Sequence, residues 1–155
     1  MASAASQRIQ YFVRSISEDI KLYQQLLTLL QQQKALYLKF DGEALNTNVQ
    51  QQTPILNKLS RSSNERSQCM RELGLPCNDS SVTRIFNALP AKIGAQARKQ
   101  WTLLETLIKQ CQQYNQSNGH HLIIREESAV SSAAFHELVS QLKQPVQHTY
   151  EDKSF

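Results

Sequence analysis

The chain has 155 residues, a formal charge of +4, 40% hydrophobic and only 19% charged residues, with 20 glutamines supplying much of the polar surface. Four glycines (Gly42, Gly74, Gly94, Gly119) and four prolines (Pro54, Pro76, Pro90, Pro145) are too few turn-formers for a many-stranded β protein. No glycine-rich phosphate loop is present, which excludes the usual dinucleotide-binding and P-loop chemistries.

From Ile9 the apolar residues step by four and three through Val13, Ile16, Ile20, Tyr23, Leu27 and Leu30 to Lys34 and Tyr37. This spacing predicts one long amphipathic helix, broadened by Phe12, Leu22, Leu26 and Leu36. Asp41-Gly42-Glu43 interrupts it, and Asp41 is placed to cap a second helix. That helix carries a seam of Leu45, Val49, Gln52, Leu56, Leu59, Ser63, Arg66, Met70 and Leu73. Pro54 predicts a kink within it, and Gly74 its end.

A short amphipathic segment follows, with Val82, Ile85, Phe86 and Leu89 apolar, Asp79 or Ser80 as its cap and Pro90 as its stop. The last strict heptad run is Ala97, Trp101, Leu104, Ile108, Cys111, Asn115, Asn118 and Leu122. Two successive seam positions are thus asparagine, a device that lowers stability while fixing register or oligomer state. Gly119 follows at once and predicts a bend or break. Beyond it Leu122, Ile123, Val130, Phe135, Leu138, Val139 and Leu142 form a further amphipathic helix without a strict heptad, expected to dock loosely. The polar run 144–155 is expected to be disordered.

The expected fold is therefore all-α: an elongated antiparallel bundle of about three long helices, a short connecting helix, and a mobile C-terminal helix and tail. Residues 1–143 form one helical domain, with a binding helix over about 120–143. No stretch approaches a transmembrane span, and the amino terminus lacks the apolar core of a secretory signal.

The chemistry-bearing residues are sparse. Cys69, Cys77 and Cys111 are odd in number and have neither CxxC spacing nor a nearby histidine, so a structural role in a reducing cytoplasm is expected. His120 and His121 project about 100° apart on a helix and lack the i, i+4 pairing of a helical zinc site. Neither metal nor cofactor is expected, and nothing marks a catalytic pocket. Lys58, Arg61, Arg66 and Arg71 are interrupted by Glu65 and Glu72 and carry no interleaved aromatics, which reads as a solvated helix face rather than a nucleic-acid footprint. If three helices complete a bundle, the apolar face from Leu122 to Leu142 is left for a partner helix.

The block from Trp101 to Ile123, WTLLETLIKQCQQYNQSNGHHLI, resembles the Asn-x-x-Asn-Gly signature of the FlgN family of flagellar type III export chaperones, here Asn115, Asn118 and Gly119 after a leucine-rich helix. The resemblance implies a cytoplasmic, non-enzymatic chaperone for the hook–filament junction proteins FlgK and FlgL. It places client binding on the C-terminal amphipathic helix, Leu122 to Leu142. It also implies docking of a tail tyrosine, here Tyr150, to the export gate protein FlhA. Two features depart from the family: the usual tyrosine-glycine context is missing around Tyr150, and the pI near 9.1 is basic where export chaperones tend to be acidic. The competing expectation is a non-enzymatic coiled-coil adaptor or self-assembling homo-oligomer, in which Asn115 and Asn118 set oligomer register and the last helix packs home.

Overall fold

The computed structural model describes residues 3–124, with side-chain surroundings through Asn118. Four helices follow in order: α1 (Ala4–Lys39), α2 (Gly42–Glu72), α3 (Asp79–Asn87) and α4 (Ala91–Ile124). At about 1.5 Å per residue the 36 residues of α1 span about 54 Å.

The boundaries follow from local chemistry. Ser3 caps α1 by accepting from the Ser6 amide at 3.1 Å. Its other end closes on Phe40, which takes the left-handed conformation at φ 58° while the Asp41 amide reaches back to the Leu36 carbonyl. Asp41 then caps α2 as expected, its carboxylate accepting from the Ala44 amide at 3.0 Å. Helix α2 continues through Pro54, forgoing the one backbone bond that proline cannot donate. It ends where Gly74, at φ +72°, lets the Leu75 amide bond the Met70 carbonyl at 2.9 Å. The cap of α3 is Asn78, one residue ahead of the expected position: its side chain accepts from the Ser81 amide at 2.9 Å. Gly119 does not end α4, which runs on to Ile124.

The long helices run up, down and up. Arg8 meets Glu72 and Asn48 meets the Leu29 carbonyl, so α2 is antiparallel to α1. Phe12 stacks on Trp101 and Asn118 bonds the Leu30 carbonyl, so α4 runs parallel to α1. Helix α1 lies between the other two, and α3 packs on α4. The all-α bundle of three long helices and a short connector is the one the periodicity predicts.

The seam of α1 is rotated from the expected one. Its buried line is Phe12, Ile16, Asp19, Tyr23, Leu26, Leu30, Gln33 and Tyr37, an unbroken four-three heptad. Val13, Leu27 and Lys34, expected on the seam, are only half-buried on its flank. Asp19 and Gln33 hold seam positions because each finds a buried polar partner on another helix, which removes most of the penalty that would otherwise expel them. The seam of α2 matches the expected positions from Leu45 to Met70 and that of α4 from Ala97 to Asn118, polar residues included, with Leu73 and Trp101 half-buried.

Candidate functional site

The family-like residues of α4 fall in two layers of the rod. Trp101, half-buried, belongs to an aromatic cluster that fastens α1, α3 and α4. Its ring stacks on Phe12 at 6.0 Å between centroids and meets Phe86 edge-on at 6.3 Å, while Phe12 and Phe86 are themselves edge-on.

Asn115 and Asn118 lie nearer the α1–α2 turn and are both buried. The Asn118 amide donates to the Leu30 carbonyl at 3.0 Å and to Gln33 Oε1 at 3.1 Å. Gln33 Oε1 also accepts from Gln52 Nε2 at 3.1 Å, and that nitrogen reaches Asn48 Oδ1 at 2.7 Å. Asn48 in turn donates to the Leu29 carbonyl at 2.9 Å. One amide network therefore crosses α2, α1 and α4, with Asn118 the residue that ties α4 into it. Three oxygens of this region, Gln52 Oε1, Asn115 Oδ1 and Asn118 Oδ1, find no donor among the described residues. The asparagine at position 118 sets register within a single chain.

The network also divides the core. On one side lies the main apolar cluster, whose fully buried α4 members end at Cys111; on the other Tyr37, Leu45 and Leu36 form a small satellite. Beyond Cys111 the described contacts that hold α4 to the hairpin are the amide bonds of Asn118 and the packing of half-buried Tyr114 on the main cluster. Lys34 adds a cation–π approach to the Tyr114 ring at 5.8 Å. Burial pushes the Cys111 thiol up to about 12, and the thiol faces the Tyr23 carbonyl at 3.7 Å.

A second polar layer lies further along the rod. Arg66, which the α2 seam placed in the core and the charge pattern placed on a solvated face, is buried and forms an ion pair with Asp19 at 2.6 Å, the two side chains only 6% and 1% exposed. Ser62 accepts from the same Arg66 nitrogen at 3.0 Å and Ser15 at 3.4 Å. Burial raises the Asp19 carboxyl above its ordinary range, and the guanidinium pulls it only part of the way back. The missed signal is at Asp19, which sits three residues after Ile16 and four before Tyr23, where the heptad step requires a core residue; Arg66 already stood on the α2 seam.

Leu122 and Ile123 stand on the last turn of α4 rather than at the start of a separate helix. The other residues expected to bind a partner, Val130, Phe135, Leu138, Val139 and Leu142, lie outside the described residues, as does Tyr150. Among the described residues no cluster of three or more His, Cys, Asp or Glu could hold a metal, and no helix is long and apolar enough to cross a membrane.

These features define an elongated three-helix rod with internal polar layers, whose chemistry is helix–helix packing. The family model described as FlgN protein matches residues 1–153, and the chain belongs to the FlgN family. It is also similar to a crystal structure from Pseudomonas aeruginosa, a candidate flagella synthesis protein FlgN. The TM-score is 0.74 at 21% identity, covering 94% of this chain and 99% of that one. No curated protein matches the chain.

Proposed function

We propose that this protein is a cytoplasmic, non-enzymatic flagellar export chaperone that binds the hook–filament junction proteins FlgK and FlgL. The observation that carries the proposal is the family match over residues 1–153. The packing of α4 supports it: a firm aromatic and aliphatic anchor holds its first half, while the packing of half-buried Tyr114 and the amide hydrogen bonds of Asn118 hold its far end. Each such bond contributes a net of only about 0.5–1.5 kcal/mol.

In this proposal Leu122, Ile123, Val130, Phe135, Leu138, Val139 and Leu142 present one apolar face to a client helix. Burying each large side chain is worth about 1.5–3 kcal/mol before ordering costs, enough in sum for affinity without nucleotide hydrolysis. Delivery then follows through contact of Tyr150 with the export gate protein FlhA. The adaptor alternative is less supported, because Asn118 directs its amide donor to partners within its own chain.

The test is the triple variant Val130→Asp, Phe135→Asp, Val139→Asp. The proposal expects loss of FlgK and FlgL co-purification with a melting curve close to that of the parent. An intact complex would sink it.

A further inference from the structure

We propose that the groove between the amino-terminal ends of α1 and α4 is the docking site of this chain's own tail, residues 150–155. The groove encloses about 800 Å³. Ile9 and Val13 of α1 form one wall, and Leu89, Pro90 and Ile93 at the α3–α4 corner form the other. Ile93 is 49% exposed although it opens an amphipathic helix. Apolar side chains gathered along one groove offer a binding surface, whereas the exposed Leu38 and Phe40 stand at the opposite end of α1.

Charge selects the occupant. Arg14 lines the groove, and among the described residues no acidic side chain does. Lys92 precedes Ile93 on the same turn, and neither α1 nor α4 carries an acid in its first turn. The positive ends of two parallel helices therefore converge here, and the Glu72 carboxylate beside the start of α1 is already paired with Arg8. The complementary ligand is a short peptide that combines aromatic rings with carboxylates. The tail supplies one: Tyr150-Glu151-Asp152-Lys153-Ser154-Phe155 has two rings and two acids against one lysine.

The chain is long enough to deliver it. From Ile93 to Ile124 α4 rises about 47 Å, at roughly 1.5 Å per residue. Residues 125–149 span about 50 Å if helical to Leu142 and extended thereafter, and about 83 Å if extended throughout. A tether of this length holds the tail near the groove at an effective concentration on the order of millimolar, so a weak contact is populated in cis. The contact would keep Tyr150 covered until something displaces the tail. The inference rests on the groove and the tail chemistry alone, and failure of FlgK binding would leave it standing.

The test places a benzoylphenylalanine photocrosslinker at Phe155 in the full-length chain and maps adducts by mass spectrometry. The expected adduct is within one chain, on residues 5–14 or 88–93. Ile93→Asp and Arg14→Glu, both at exposed positions, should each lower its yield, Ile93→Asp by about tenfold, the factor for about 1.4 kcal/mol. Circular-dichroism melts confirm that both variants fold. Adducts joining two chains, adducts elsewhere on the rod, or a yield indifferent to Ile93→Asp would each overturn the proposal.

Discussion

Replacing Asp19 with alanine isolates the largest electrostatic commitment in the described structure. Arg66 is 5% exposed, and its guanidinium would lose the carboxylate that lies 2.6 Å away. Ser15 and Ser62 would remain as neutral acceptors, but a buried cation without its counter-charge costs about 3–5 kcal/mol. For a chain of this size each kcal/mol moves the melting temperature by about 2–4 °C, so Asp19→Ala should lower it by roughly 6–20 °C. The assay is urea denaturation followed by circular dichroism, with thermal melts alongside. The paired variant Asp19→Leu, Arg66→Met removes both charges and should recover most of the loss, since apolar packing can replace a buried ion pair at little cost. A single-variant loss under about 1 kcal/mol, the range of an exposed pair, would refute the assignment of this layer to the core.

Further outcomes follow from single sites. Asn118→Ala removes one donor from each of two buried acceptors, the Leu30 carbonyl and Gln33 Oε1, and should destabilise by about 0.5–1.5 kcal/mol per bond in the same urea assay. Hydrogen exchange should quicken in α4 beyond Cys111 in that variant. Gly94→Ala reverses the usual helix preference: the added Cβ would stand 2.7 Å from the Phe86 carbonyl oxygen, so the α3–α4 corner must shift. A loss of about 1–3 kcal/mol is expected, and a raised melting temperature would contradict the close approach. Cys111, with its folded thiol pushed up to about 12 from an ordinary 9.0, contributes stability that is fully present below pH 9. That contribution declines as pH rises from 9 towards 12, because only the unfolded thiol ionises there. Cys111→Ala should flatten this alkaline decline, and in the parent the thiol should resist alkylation at pH 8 until the chain unfolds.

The helices were legible because a four-three apolar repeat survives almost without interruption, and because Asp41 and Gly74 use local chemistry that sequence alone displays. The α1 seam was not. Reading only apolar residues moves it by one position, to Val13, Ile20 and Leu27, since Asp19 and Gln33 are conspicuous only when their partners Arg66, Gln52 and Asn118 are known. Those partners lie 19 to 85 residues away, a separation that local periodicity does not bridge. Asn115 and Asn118 stood out as polar seam positions, yet the intrachain network around Asn118 required the positions of α1 and α2. The groove at Ile93 was invisible for a related reason: Ile9 and Val13 look like core in sequence, yet they are only half-buried and line the groove.

Hydrogen exchange on the full-length protein, with and without FlgK, tests the chaperone proposal most directly. Client binding should bring new protection across residues 122–142, with the aromatic layer around Trp101 unchanged. Protection confined to α1 and α2, with residues 122–142 exchanging at the same rate in both states, would contradict it.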